Sequence, residues 1–282
     1  MRATVHCDWP LRVTTEFPRP VVIHVDRRPA APRLPGAFEV LYLCEPQPIL
    51  PRLSAWARRH LDRFDLVVVS SDHLVGASPK VVPLRYGTTW VPPDAAPPAK
   101  SPGVSLVVGR KRRTEGHRLR HTVWRRQEEI VVPKRFFLSD RGWPRKLAWL
   151  AGVPGIDPLP ANPWRWPALG DSKMPLFTTQ FHLAIENCRS RHYFTEKLLD
   201  CLLTDTVPIY WGCLDIGSVF DPAGMLLADS ADALVAAANE ATPERYAAMA
   251  PAIAENRRRA REYVDLGSRL GELVAARIAP AG

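Results

Sequence analysis

The chain has 282 residues, of which 46% are hydrophobic and 24% charged, and its formal charge is +9. That length builds two domains with a core in each, and the composition is that of a folded globular protein rather than a disordered one. No apolar run approaches the roughly 20 residues of a membrane helix, and Met1–Pro10 lacks the long apolar core of a secretory signal.

The 29 prolines stand between hydrophobic runs, which predicts long ordered loops. The positive charge is mostly arginine. It suits nucleic acid, an anionic membrane surface or a phosphorylated small ligand, and equally a plain basic surface. Cys7, Cys44, Cys188, Cys201 and Cys213 are too scattered for a zinc pattern and odd in number, so reduced thiols in an intracellular compartment are expected. No Asp-x-Asp sequence occurs, which makes Arg and Lys the expected partners of a diphosphate.

In chain order, Thr4–Cys7, Val21–Val25, Phe38–Leu43, Asp65–Ser70 and Val81–Leu84 are short β-type runs, and Leu53–Leu61 has helical spacing. Alternation of this kind predicts a mostly parallel sheet covered by helices. Pro92–Pro102 has linker composition and divides the chain into an N-terminal domain at 1–99 and a C-terminal domain at 100–282, an arrangement that suits an acceptor at the first and a nucleotide-linked substrate at the second. A second α/β pattern starts with a strand at Val104–Val108, a basic loop at Gly109–Gly116 and a helix from His117 to Gln127. Residues 131–178 hold four tryptophans among prolines and charges and give little beyond a short helix near Pro144–Leu150. Then come a strand at Phe181–Ile185, a helix opened by Thr195-Glu196-Lys197, a strand at Val207–Trp211 and a short one at Met225–Ala228. Helices over Ala231–Asn239 and Pro243–Asp265 follow. The fold class is therefore α/β, with two Rossmann-like βαβ domains expected to face each other across a central cleft.

Polar residues crowd the end of the Phe181–Ile185 strand and the start of the helix after it, the place where open α/β sheets bind ligands. Lys197 lies in a first helical turn, where free backbone N–H groups and a cation together make an anion site. Glu196 beside it can accept two hydroxyl hydrogen bonds. Alone, the pair reads equally as a helix-start acid and a solvated lysine; Glu186-Asn187 at the preceding strand end argues for a site. The loop Arg110–Arg120 repeats the arrangement of strand end, turn and helix start, but lacks the Gly-Lys-Ser/Thr of a P-loop. Glu45 ends a first-domain strand, held by Pro46, and could serve as general base on a hydroxyl; Asp72 is the next candidate. His182, inside an apolar strand, reads as a satisfied core residue.

Three stretches together resemble the α-1,3-fucosyltransferases of glycosyltransferase family 10, in particular short bacterial members. They are Ala184-Ile185-Glu186-Asn187, Tyr193-Phe194-Thr195-Glu196-Lys197-Leu198 and Thr206-Val207-Pro208-Ile209-Tyr210-Trp211-Gly212. Thr114–Arg120 is similar to the family's arginine helix start, and Glu45-Pro46, Phe64–Val67 and Gly87–Trp90 resemble its first domain more loosely. The resemblance covers most of 38–228 but is poor across 131–178.

It implies a GT-B fold and inverting transfer of L-fucose from GDP-fucose to a saccharide hydroxyl, with no cofactor and no metal. Arg120 and Lys197 would hold the diphosphate and Glu196 the ribose. Asn187 and Tyr193 would contact the nucleotide sugar with Glu186 close by, and Glu45 would be the base. The partners implied are a nucleotide-sugar donor and a saccharide acceptor, with no nucleic acid. The location implied is the cytoplasm, either free or in peripheral contact with the inner face of the membrane through the Arg-rich surface. The open alternatives are another nucleotide-activated sugar as donor, a basic nucleic-acid-binding α/β protein, and a glycan-binding relative without catalysis.

Overall fold

A computed structural model of the chain describes residues 1–139 and 167–278. The helix expected near Pro144–Leu150 and the tryptophans Trp143, Trp149, Trp164 and Trp166 lie outside the described residues. Two compact units are present. One comprises Met1–Thr88, Ser190–Tyr193 and Asp265–Gly282, and the other Thr89–Arg189 and Phe194–Val264. Composition places a single boundary at 99/100; compactness instead groups Thr89 onward with the second unit and the C-terminal helix with the first.

The first unit is built on β1 (Thr4–His6), β2 (Val21–Val25), β3 (Phe38–Leu43), β4 (Leu66–Val69) and β5 (Val81–Pro83). All neighbours pair in parallel and the strand order is the chain order. Strands of such a sheet are buried on both faces, so they read as continuous apolar runs, as in Val21–Val25 and Leu66–Val69. The crossover from β3 to β4 lies on the face that carries Leu41 and Val67. That face receives α1 (Pro51–Arg59), started by Pro51 and ended by Arg58 and Arg59 as the helix dipole favours. Its Leu53 and Ala57 pack with Leu41, Leu43, Val67 and Val69.

The opposite face, with Ile23, Val25, Val40 and Tyr42, is covered by Val13, Phe17 and the last helix through Leu266, Leu270 and Val274. That helix, Leu266–Ala275, is capped by Asp265, whose carboxylate accepts from the Ser268 amide at 2.9 Å. Its glycines permit the close approach: a Cβ at Gly267 would stand 1.9 Å from the Arg12 carbonyl oxygen.

The second unit contains β6 (Ser101–Val108), α2 (Glu115–Arg125), β7 (Lys134–Leu138), β8 (Thr179–Ile185), α3 (Glu196–Leu203), β9 (Val207–Trp211), β10 (Leu226–Leu227), α4 (Ala231–Asn239), α5 (Pro243–Ala248) and α6 (Ala250–Ala260). The sheet is parallel in the order β10-β9-β8-β6-β7. The order reverses between β6 and β8, and such a switch point opens a crevice at the carboxyl ends of the two strands. One core lies on the face with Val104, Leu106, Trp124, Ile209 and Trp211. The other joins Phe194, Leu198, Leu199, Tyr210 and Phe220.

One expectation needs correcting. The single helix over Pro243–Asp265 is two helices that meet at Met249. Pro251 is the cause: it cannot donate a backbone hydrogen bond and fits only a first turn. After a short 3-10 turn at Arg261–Tyr263 comes the last helix, Leu266–Ala275, which is not among the elements expected from the sequence.

Candidate functional site

The switch point of the second sheet assembles three segments. After β6 comes the basic loop 109–114, then α2. Thr114 caps α2: its side chain accepts from the His117 amide while its own amide donates to His117 Nδ1. That acceptor role requires a neutral imidazole. Burial, then the charges of Arg120, Lys111 and Lys197, push the His117 pKa down to about 4.

After β8 come Glu186 and Asn187. The Gly116 amide donates to the Asn187 carbonyl at 3.0 Å. A Cβ on Gly116 would lie 1.7 Å from the Glu186 carbonyl oxygen, so only glycine lets α2 start against the end of β8. One turn later, Arg120 Nη2 donates to Asn187 Oδ1.

The third segment is the start of α3. Glu186 is fully buried, and both of its carboxylate oxygens are engaged by Thr195, from the amide at 2.8 Å and the hydroxyl at 2.7 Å. Thr195 is in turn the N-cap of α3. Burial pushes the Glu186 pKa up, against the opposing pull of Lys197, whose Nζ stands 3.7 Å from Glu186 Oε2. Glu186, expected among the donor-contacting groups, thus anchors the helix start from beneath. Gly212 makes room for it, since a Cβ there would meet Glu186 Cγ at 2.5 Å.

Lys197 Nζ lies 3.1 Å from Glu196 Oε1, and Lys173 Nζ lies 3.6 Å from the same oxygen. Burial opposes the Glu196 charge, but Lys197 and Lys173 outweigh it and hold its pKa down to about 2. Burial likewise opposes the Lys197 charge, and Glu196 and Glu186 more than offset it, leaving the pKa raised.

These segments border a cavity of about 490 Å³. Arg110, Lys111, Arg120, Lys173 and Lys197 line it, with Asn187 and neutral His117. Among the described lining residues there is no acid. His182 also reaches the cavity but is a core residue: Ser105 Oγ sits 2.7 Å from its Nδ1, and burial, then Lys173 and Arg120, push its pKa down to about 3. At the rim, Lys173 Nζ stands 3.7 Å above the Trp90 ring. The Trp90 amide donates to Asp200 at 3.0 Å, and burial raises Asp200 to about 6.

Sequence reasoning missed Lys173 and Asp200. Lys173 lies within the Trp/Pro-rich segment 131–178 and carries no pattern of its own. Asp200 is an i+4 neighbour of Glu196, a spacing that places it on the same helix face and could have marked it.

Glu45 and Tyr193 belong to the first unit. The Tyr193 hydroxyl donates to Glu45 Oε2 at 3.0 Å. Behind Glu45, the Asp26 carboxylate at the end of β2 accepts from the amides of Cys44 at 2.9 Å and Glu45 at 3.2 Å and from the Cys44 thiol. Burial pushes Asp26 up to about 7. Asp72 accepts from the Ser190 hydroxyl at 2.9 Å.

Of the seven residues expected at the site, Arg120, Asn187 and Lys197 border the cavity, Glu196 pairs with its lysine, and Glu186 lies beneath. Tyr193 and Glu45 meet each other in the first unit. Among the described residues no group of three His, Cys, Asp or Glu could hold a metal ion, and no helix is long and apolar enough to cross a membrane.

Residues 169–230 match the family model described as glycosyltransferase family 10 (fucosyltransferase), C-terminal. The match contains β8, α3, β9 and the Glu186, Asn187, Tyr193, Glu196 and Lys197 set. The alpha-(1,3)-fucosyltransferase FucT of Helicobacter pylori is 40% identical over 43 residues, which cover 15% of this chain and 9% of that protein. A crystal structure of an alpha1,3-fucosyltransferase with GDP aligns over 89% of this chain and 71% of its own, with 16% identity and a TM-score of 0.47. The alpha,alpha-trehalose 6-phosphate synthase of Burkholderia multivorans aligns over 92% and 70%, with 12% identity and a TM-score of 0.57. The fold is that of the GT-B glycosyltransferases, and segment 169–230 is similar to the C-terminal part of family 10.

Proposed function

We propose that the chain is an inverting glycosyltransferase that transfers L-fucose from GDP-fucose to a hydroxyl of a saccharide. The observation that carries this reading is the coincidence of two things at one place. The lysine- and arginine-lined cavity stands at the switch point of the second sheet, and the segment similar to family 10 supplies its Asn187 and Lys197.

In this reading the diphosphate takes the cavity, with Arg120 and Lys197 on its oxygens and Glu196 on the ribose hydroxyls. Glu45 removes the proton of the acceptor hydroxyl as that oxygen attacks the anomeric carbon. The bond from the anomeric carbon to the diphosphate oxygen breaks on the opposite face, and GDP leaves with the electron pair. Fixed cations stabilise the charge that grows on the leaving oxygen. Arg and Lys fill the role a metal would otherwise take, so activity is expected to survive chelation by EDTA. A reducing, cytoplasmic location goes with this reading, as does a peripheral membrane contact through Arg257, Arg258 and Arg261.

The test is nucleotide release from a panel of GDP-fucose, GDP-mannose and UDP-galactose with saccharide acceptors, read by mass spectrometry. GDP release from GDP-fucose alone supports the proposal; turnover of a different donor, with none of GDP-fucose, overturns it. Glu45→Gln should keep GDP affinity and abolish transfer. A full transfer rate in that variant removes Glu45 as the base.

A further inference from the structure

The first unit holds a cavity of about 410 Å³ that the proposed transfer does not use. Its origin is topological. The sheet face that carries Leu41 and Val67 is filled by α1 between β3 and β4. Between β2 and β3 the crossover contains no helix. Its stretch Arg27–Pro35 carries Pro29, Pro32 and Pro35, which remove backbone donors and block a helix. Space that a crossover helix would fill stays open, walled by this loop and by the sheet. In the sheet, Thr4 is opposite Val22, His6 opposite His24, and Val22 opposite Glu39, so these side chains stand on one face, alternating with the core residues Ile23 and Val40.

Two buried polar side chains on that face are unsatisfied. Glu39 is 2% exposed, and its Oε2 accepts no hydrogen bond. The nearest cation, Arg63 Nε, is 3.9 Å away, beyond hydrogen-bonding distance. His24 is 6% exposed and its Nε2 has no partner. Its ring stacks on His6 with centroids 5.2 Å apart and an interplanar angle of 11°. Burial, then His6, Arg63 and Arg27, push the His24 pKa down to about 4, so the imidazole is neutral near pH 7. A fold rarely leaves two such groups at one place without a use for them.

The chemistry of the walls selects the ligand. A carboxylate accepts from a hydroxyl, and a neutral imidazole gives or takes one hydrogen bond. Val22, Ala31 and Pro32 offer apolar contact for C–H faces. The arginines at the rim already have partners: Arg27 pairs with Asp8 at 3.2 Å, Arg33 with Asp65, and Arg28 lies over the Trp56 ring. An anion would gain little from them and would meet Glu39. The volume lies in the range of cavities that enclose small molecules, about 300–1,000 Å³.

We propose that this cavity is a second carbohydrate site, which takes one or two pyranose units through hydroxyl hydrogen bonds to Glu39 and His24. It is separate from the Glu45 end of the same sheet. From Glu39 to Glu45 the chain runs along β3 for roughly 20 Å at about 3.3 Å per residue. The proposal stands on the cavity alone and holds whichever donor the chain uses.

The test is the full chain, titrated with lactose and, separately, with inorganic phosphate. The ring resonances of His6 and His24 are followed by NMR, with those of His121 in α2 as reference. Lactose should shift His6 and His24 saturably and leave His121 unmoved. The near-isosteric Glu39→Gln should weaken lactose at this site at least tenfold, and Ala31→Trp, which fills the cavity, should abolish the shift. Both variants should keep the wild-type circular-dichroism spectrum and a cooperative thermal melt, which shows that they fold. A shift with phosphate and none with lactose overturns the proposal, as does no shift with either. So does a lactose affinity that both variants leave unchanged. None of these readouts uses transfer, so failure of the fucosyltransferase reading would leave this result standing.

Discussion

Gly116→Ala tests whether the two halves of the cationic cavity depend on one backbone contact. The new Cβ would stand 1.7 Å from the Glu186 carbonyl oxygen, 2.9 Å from its carbon and 3.0 Å from the Asn187 carbonyl carbon. All three are backbone atoms at the end of a central strand, so the neighbour cannot rotate away. The start of α2 has to move by roughly 2 Å to reach ordinary contact. The move breaks the 3.0 Å hydrogen bond from Gly116 to Asn187, worth about 1 kcal/mol, and adds overpacking strain of about 1–3 kcal/mol. The expected loss is about 2–4 kcal/mol. Arg120, one turn along the same helix, is carried away from Asn187. Loss of its charge-assisted contact to a diphosphate, worth about 1.5–3 kcal/mol, should lower GDP affinity at least tenfold. Urea unfolding and calorimetric titration with GDP measure the two effects. Wild-type stability together with wild-type GDP affinity would refute the reasoning, because it would mean that the strand end yields freely.

Lys197→Met leaves buried Glu186 and Glu196 without their shared cation. Removing one partner of a buried pair costs about 3–5 kcal/mol, and Lys173 beside Glu196 puts the expectation at the low end. Glu196 has a folded pKa of about 2 against an ordinary 4.5, so its pairing stabilises the fold above pH 4.5 and is lost as pH falls toward 2. The stability gap between wild type and variant should therefore narrow on acidification, as thermal melts across pH 3–7 would record; a gap independent of pH contradicts the pairing. Asp26→Asn has the opposite sign. Asp26 is raised from 3.8 to about 7, so the folded state holds a proton that the unfolded state has lost between those values. Wild-type stability falls as pH rises through that window, by at most about 4 kcal/mol at about 1.36 kcal/mol per unit. The variant should lack this slope between pH 4 and 7 while keeping an oxygen for the Cys44 and Glu45 amides, and equal slopes in the two proteins would exclude the burial of Asp26 as its cause.

What could be read from the sequence was what local pattern decides. Val21–Val25, Phe38–Leu43 and Val207–Trp211 are observed at the expected residues, because strands buried on both faces need continuous apolar runs. The strand–loop–helix around Glu186 and Lys197 was legible too, since polar residues at a strand end interrupt such a run abruptly. β7 was not: Lys134 and Arg135 mask its first half, and only pairing with β6 identifies it. The last helix, Leu266–Ala275, was not expected either, and its place against Val13 and Phe17 is a long-range choice that no local signal encodes. The setting of Glu186 is long-range in the same way. A glutamate at a strand end looks available to a ligand, and only the Thr195 contacts show it turned inward. Glu39 and His24 look like ordinary members of their strands, and their unsatisfied atoms become visible only once the helix-free crossover is seen beside them.

The charges around Lys197 bear on how the proposed transfer would gain its rate. Lys197 and Lys173 are held by Glu196, at 3.1 and 3.6 Å, and Thr195 and Glu186 fix the turn that presents Lys197. A diphosphate entering the cavity would compete with Glu196 for both ammonium groups, which moderates their grip on the ground state. The competition shifts toward the diphosphate as the bond to the anomeric carbon breaks and its oxygens gain charge, while the ammonium groups are already in place and need no reorganisation. Binding that strengthens only along the reaction raises turnover rather than ground-state affinity. A lysine flanked by acids is thus better suited to assisting departure of a nucleotide than to storing one, and this is a physical reason to favour a transferase over a passive nucleotide-binding protein at this switch point.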